Sequence, residues 1–320
     1  MKVPTDATKV FSPLIWTGNN TTNVHTTGFP VDMTIVQNRQ GTGANPQLFD
    51  RLRGMVASTT TASAVALFPN TTDAETGAIY SAASDSNTAW ISYSGNSGNA
   101  SGVTYADWAF QRAPSFFDEV CYTGTGVART VTHNLGVAPE MYIIKRRDGT
   151  GTNWVIYSAY LATPNDKNLY FTTAGESTNA NIWSTPTSTT FGIGTGLPSA
   201  AALNASGGIY VAYLFATCAG VSKVGSYTGN GSTQTINCGF TSGARFVLIK
   251  RTDSTGDWYV WDTARGIVTA NDPHLSLNTT AAEVTTDDTI DPDSTGFIVN
   301  QVTATNVNVS SATYIYLAIA

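Results

Sequence analysis

The chain has 320 residues, 42% of them apolar and only 12% charged, with a net charge of −6 and a sequence pI near 4.9. Six lysines in an acidic chain argue against a phosphate-tracking surface, because nucleic-acid affinity rests on clustered Lys and Arg. No stretch approaches the ~20 apolar residues of a membrane-spanning helix, so neither nucleic acid nor membrane insertion is expected.

Fifty threonines and 29 glycines beside abundant Val, Ile and Tyr favour pleated strands and short turns, since β-branched and aromatic side chains lose little freedom on an extended backbone. Residues 1–9 read as a polar N-terminal arm. Met1 to Val10 lacks the apolar core of a secretory signal, so no Sec export is implied, and having no periodicity it suits ordering on a neighbouring subunit.

Beyond the arm the sequence repeats itself three times. Trp16-Thr17-Gly18, Tyr122-Thr123-Gly124 and Tyr227-Thr228-Gly229 open the units, at offsets of 106 and 105 residues. An apolar run ending in basic or amide residues follows: Met33 to Arg39, Met141 to Arg147, and Phe246 to Arg251, each read as a core strand leaving a sheet. Mid-unit comes Thr-Thr-x-(Ala/Gly)-Glu, ending at Glu75, Glu176 and Glu283. Each unit closes with Asn-x-Ser six residues before a tyrosine, from Asn99 to Tyr105, Asn204 to Tyr210 and Asn308 to Tyr314, and the tyrosine opens a final strand.

Four landmarks in constant order define three modules, 10–113, 116–217 and 222–320. Strands of five to eight residues divided by Gly, Asn, Ser and Thr make each a compact antiparallel β-sandwich, and the fold class is all-β. A module of this size can hold its own core. The connectors Ala113-Pro114-Ser115 and Cys218-Ala219-Gly220-Val221 are too short for free tumbling, so modules in line and modules folded upon one another both fit. Helical candidates lie near Pro46 to Met55 and Trp261 to Ile267, where Asp50-Arg51-Leu52-Arg53-Gly54 matches Asp262-Thr263-Ala264-Arg265-Gly266 with Gly as the C-cap.

These landmarks resemble a β-rich tandem repeat domain of tailed-bacteriophage virion proteins of the tail and fibre type. The resemblance rests on Tyr227 to Gln234, the strand ending Ile249-Lys250, Trp258, Trp261-Asp262, Arg265-Gly266 and Asn278 to Glu283. Module 3 carries it best, module 2 through Val131 to Pro139, and module 1 is the most divergent. The resemblance implies a virion component and supplies no catalytic residue.

The residues themselves offer little chemistry. His25 and His133 each precede a glycine by three, Gly28 and Gly136, with Ile236 in the corresponding place of module 3, which a catalytic base could not accept. His274 has no nucleophile motif nearby, and G-x-S-x-G, P-loop and H-E-x-x-H patterns are missing. A glycosidase needs two carboxylates about 5–9.5 Å apart, but Glu75, Glu176 and Glu283, copied once per module, suit a turn or amide cap better than one active site. The run Asp287 to Gly296 has some likeness to a calcium loop and is explained equally by Asx-turns at Asp291 and Asp293. The Asn-x-Ser triplets, by their repeat phase, suit turns rather than glycosylation. Cys121, Cys218 and Cys238 form an odd set without zinc spacing, and two buried free thiols are expected over a Cys121–Cys218 bridge. Trp90, Trp154, Trp183, Trp258 and Trp261 are candidates for stacking on sugar, weighed against burial, which is the commoner fate of Trp.

The leading expectation is therefore a non-enzymatic structural component of a tailed-phage virion, in a tail, a fibre or spike, or a head-attached appendage, assembled in the bacterial host cytoplasm. Catalytic, cofactor and metal residues are expected to be none. Expected partners are copies of the chain itself, a trimer being favoured, and other virion proteins, with module 1 as the attachment module. The alternatives are a carbohydrate-binding host-adhesion module and, third, a polysaccharide depolymerase.

Overall fold

The computed structural model describes residues 2–41, 43–55, 64–76, 82–84, 86–93, 98–194 and 200–320. It is all-β, built from antiparallel sheets. Each sequence unit supplies a main sheet and a smaller three-stranded sheet. The module 1 main sheet runs, edge first, Phe11–Thr17, Thr104–Phe110, Met33–Asn38, Gln47–Asp50. Module 2 repeats this order with Phe117–Thr123, Ile209–Phe215, Met141–Arg146, Val155–Ser158 and adds Lys167–Tyr170 and Ser177–Thr178. Module 3 uses Ser222–Thr228, Thr313–Ile319, Phe246–Arg251, Trp258–Asp262 and Leu275–Ser276. In each module the last long strand pairs with both the first and the third, which is why a motif at the chain end of the unit fits against one at its beginning.

The pairing register makes the repeat literal. Trp16, Tyr122 and Tyr227 stand opposite Tyr105, Tyr210 and Tyr314, and the rings lie 5.4, 5.0 and 4.8 Å apart in stacked geometry. All three closing tyrosines are buried, on the strand beside the 33–36, 141–144 and 246–249 runs. Their hydroxyls accept the backbone N–H groups of Ala100, Ala205 and Val309 at 3.0, 2.8 and 3.0 Å. The Asn of each Asn-x-Ser triplet ties the opening turn. Asn99, Asn204 and Asn308 accept the N–H groups of Asn19, Thr125 and Asn230 and donate to the carbonyls of Thr21, Val127 and Ser232. The opening glycine is a steric necessity. A Cβ on Gly18, Gly124 or Gly229 would stand 2.1, 2.1 or 2.2 Å from the carbonyl oxygen of Ala100, Ala205 or Val309.

In modules 1 and 2 period-two alternation sends the main sheet's side chains to two different cores, whereas in module 3 both faces belong to the shared one. Tyr142, Ile144 and Leu214 face the small sheet and its Phe191 and Trp183, while Val36, Phe49 and Tyr105 do the same in module 1 beside Trp90. The opposite faces meet in one hydrophobic core shared by all modules, with Met33 and Trp108 from the first, Met141 and Tyr213 from the second, and Phe246 and Leu317 from the third. Modules with separate cores strung in line are thus excluded. The three sandwiches fold upon one another because their inner faces are as apolar as their outer ones.

Three readings need correction. The N-terminal arm orders on its own chain: Ala7–Lys9 is a short 3-10 turn capped by Asp6, Ala7 and Val10 are buried, and the Cys218 thiol meets the Pro4 carbonyl at 3.5 Å. It is module 1's version of a connector, for Val10 accepts the N–H of Gln111 as Phe116 accepts that of Ala216 and Val221 that of Ala320. The helical candidates are strands, Gln47–Asp50 and Trp258–Asp262, each ending in a single turn; Gly54 and Gly266 do take positive φ, 108° and 114°. Among the described residues the α-helix is instead Ala200–Leu203. Finally, His25 and His133 are not equivalent. His25 pairs with Trp90, and the matching pairs are Val131 with Phe191 and Ile236 with Phe297, so His133 lies two residues beyond that position.

Candidate functional site: the polar joints between modules

The repeated Thr-Thr-x-x-Glu element joins one module to another. The N–H of Glu75 donates to Arg147 in module 2 at 2.8 Å, that of Glu176 to Thr252 in module 3 at 2.7 Å, and that of Glu283 to Arg39 in module 1 at 2.9 Å. The three bonds run in one cyclic sense and close a ring. At two joints the side chains add a two-nitrogen clamp: Arg147 Nε and Nη2 reach Glu75 at 2.9 and 3.0 Å, and Arg39 Nε and Nη2 reach Glu283 Oε2 at 3.0 and 2.7 Å. Module 3 has Thr252 in that place, and Glu176 turns to Lys167 of its own module at 3.0 Å.

A second set of contacts follows the same circuit. Tyr213 donates to Asp50 at 2.5 Å and Trp108 Nε1 to Asp262 at 2.8 Å, and each acid also holds the arginine three residues on, Arg53 and Arg265, at 2.6 Å. By register the third joint has Ser158 for the acid and Leu317 for the donor, so donor and acceptor are lost together and no buried carboxylate is orphaned. Trp154 and Trp258 donate to Phe68 and Tyr170 of the preceding module at 3.0 and 2.8 Å. Buried Lys145 and Lys250 donate to Thr72 and Thr173 at 3.1 and 3.0 Å, with Gln37 doing the same to Ser276 at 3.0 Å. Burial without a close carboxylate pushes both lysines down to about 8.

Other ionisable groups are spent inside the fold. Glu119, on the edge strand of module 2, is 2% exposed and sits 3.8 Å from Arg112; burial first, then Asp50, drives its carboxyl well above the usual range. Burial pushes Asp107 to about 7 against hydrogen bonds from Thr34 and from Trp90, the latter at 2.7 Å. His25 lies between Trp16 and Trp90, tilted against the first and stacked on the second, and shares a 2.8 Å hydrogen bond with buried Ser92; burial takes it down to about 3, which makes it a poor base. His133 shares a 3.3 Å contact with the Thr187 carbonyl, and His274 lies 3.3 Å from Asp287; burial lowers both.

The other sequence candidates find plain roles. Glu75, Glu176 and Glu283 are distributed one to a joint, so they do not form a glycosidase pair. Trp90, Trp154, Trp183, Trp258 and Trp261 are at most 3% exposed and present no face to a sugar. The 287–296 run leads into a hairpin, Ile290–Asp293 with Gly296–Asn300, where Asp293 accepts the Thr295 N–H at 2.8 Å as an Asx-turn; among the described residues no His, Cys, Asp and Glu group is arranged to hold a metal. Cys121, Cys218 and Cys238 are free thiols, Cys121 exposed rather than buried as expected, and no helix among the described residues is long and apolar enough to cross a membrane. Two hollows stand out. One is an enclosed apolar cavity of about 30 Å³ in the shared core, lined from all three modules by Met33, Met141, Phe246, Tyr213 and Leu317. The other is an open polar groove on module 3 between Ser232, Thr233, Asp288, Asp291, Asn300 and Gln301.

Sequence reasoning matched Asp50 with Asp262 but took their segments for helix ends, and so missed their task at the joints and their donors Tyr213 and Trp108. The available signal was the Asp-x-x-Arg-Gly motif, present in modules 1 and 3 and lacking in module 2, with a polar ring at the position three beyond Tyr105 and Tyr210 and leucine beyond Tyr314. No curated protein matches the chain. Residues 6–320, the whole ring including the lead-in to module 1, match one family model, and the chain belongs to that family, DUF7483, a domain of unknown function.

Proposed function

We propose that the chain is a structural component of a tailed-phage virion, acting through assembly surfaces rather than chemistry. The observation that carries this reading is the fate of the repeated polar side chains. Glu75, Glu283, Arg39, Arg147, Asp50 and Asp262 all serve joints between modules, which is the economy of a rigid building block. The resemblance of the repeat landmarks supplies the particle. Edge strands, which leave an isolated sandwich open to mispairing, are dealt with inside the ring, as where Arg51–Arg53 of module 1 packs against Phe117–Thr123 of module 2. That leaves the outer faces to contact other copies and neighbouring virion proteins. The test is mass spectrometry and antibody labelling of purified particles. The chain is expected at stoichiometric abundance in tail, fibre or head appendage, and its presence only in the lysate would refute the reading.

A second reading, host adhesion through carbohydrate, is favoured by the open module 3 groove, whose carboxylates and amides suit sugar hydroxyls. A glycan array probed with the intact chain and with Asn300→Ala tests it; no binding by the intact chain refutes it.

A further inference from the structure

We propose that module 1 is exchangeable, and that the surface of module 3 on which it closes the ring is also a docking site for module 1 of a second copy of this chain. The proposal deepens the assembly reading above and rests on it. The joint between modules 3 and 1 is the one crossed by no connector, and its contacts are head-to-tail, so the same bonds form within a chain or between two chains. Its fittings are specific: Arg39 on Glu283, Trp108 on Asp262, and the Phe11 ring 5.2 Å from Phe246. The joint between modules 1 and 2 repeats the clamp and the acid but takes Tyr213 where this one takes Trp108, and the joint between modules 2 and 3 has neither, so the seat on module 3 is the one cut for Trp108.

The hinge is built for exchange. Ser115 in the connector after module 1 has φ 63°, the left-handed region, where the connector after module 2 places Gly220 at φ 71°. A side chain there is strained, and the turn is held by the Ala113–Phe117 bridge and a 2.7 Å bond from Ser115 N–H to Leu135. Short strained hinges favour swapping. Opened, six residues at ~3.3 Å each span roughly 20 Å, and a reciprocal exchange keeps every joint of both rings.

The test is refolding of the full chain from urea at tens of micromolar, read by light scattering after size exclusion. The expected result is a monomer and a slowly interconverting dimer. Deleting Pro114 should drive the population to dimer, and Ser115→Gly should lower the dimer fraction roughly fivefold by relieving one left-handed residue. Charge reversal gives an independent readout: Arg39→Glu and Glu283→Arg chains refolded together should form a heterodimer, because both of its ring-closing joints are again complementary, while the double variant in one chain divides between monomer and dimer as the wild type does. A Pro114 deletion that remains monomeric, or folded single variants that do not pair on mixing, overturns the proposal. Neither readout uses a particle, so failure here leaves the virion assignment standing, and absence from particles leaves the exchange standing.

Discussion

Replacing Asp107 with Asn should stabilise the protein at neutral pH and flatten its pH dependence. Asp107 lies in the middle of Thr104–Phe110, wholly buried, where modules 2 and 3 carry Ala212 and Tyr316. Burial lifts its carboxyl from 3.8 to about 7. A folded pKa above the unfolded one means that the folded state binds the extra proton. The protein therefore carries no penalty from this group below pH ~3.8, loses stability as pH rises, and bears the full cost above pH ~7. At ~1.36 kcal/mol per unit, three units amount to about 4 kcal/mol, of which roughly 2.5 kcal/mol falls between pH 5 and pH 8. Asn reproduces the protonated acid: its amide donates to the Thr34 hydroxyl and its carbonyl accepts Trp90 Nε1–H. Urea unfolding of both proteins at pH 5 and pH 8 gives the measurement. The stability advantage of Asp107→Asn should grow by about 2.5 kcal/mol across that interval. A constant difference, or a variant less stable than wild type at pH 8, would refute the reasoning.

Tyr210→Ala should cost roughly 3–5 kcal/mol in chemical denaturation, because it removes a fully buried ring; an unchanged midpoint would count against the stacked Tyr122–Tyr210 arrangement. Gly124→Ala should be destabilising by roughly 3 kcal/mol, since its Cβ would need the Ala205 carbonyl to move, and a near-neutral thermal shift would contradict that backbone approach. Lys145 and Lys250, lowered to about 8 from 10.5 in the fold, release protons there first, so their contribution to stability should rise between pH ~8 and ~10.5. The rise should be halved in Lys250→Met by denaturant titration; a rise of full size in that variant would exclude Lys250 as its source.

What was legible in the sequence were the parts that each module needs for itself. Trp/Tyr-Thr-Gly, Asn-x-Ser and the closing tyrosine recur because a close approach at Gly18, an amide tie at Asn99 and a stacked ring at Tyr105 are local demands that tolerate few substitutes. The ring was not legible. Its fittings join residues 154 and 163 apart, Trp108 with Asp262 and Tyr213 with Asp50, and their one repeated trace, Asp-x-x-Arg-Gly in modules 1 and 3, marks a turn without naming the distant partner. Glu75 and its counterparts were visible as a repeat, but their task was not, because the partner of each lies in another module. The histidines misled because counting back from Gly28 and Gly136 ignores a loop two residues longer before Gly136, which only strand pairing exposes. Ala200–Leu203, a single turn, is too short to leave a helical period.

The loss of Asp and Arg at the third joint has a genetic side. A ring of three identical subunits must accept every substitution in triplicate, so a change that suits one contact is imposed on the other two. Here one open reading frame spells each third separately, and Ser158 with Leu317 can replace a charged fitting at one seam while Asp50 and Asp262 keep theirs. The same freedom extends to the outside of the ring, where three sectors of common ancestry can be tailored to three dissimilar neighbours without disturbing the core that unites them.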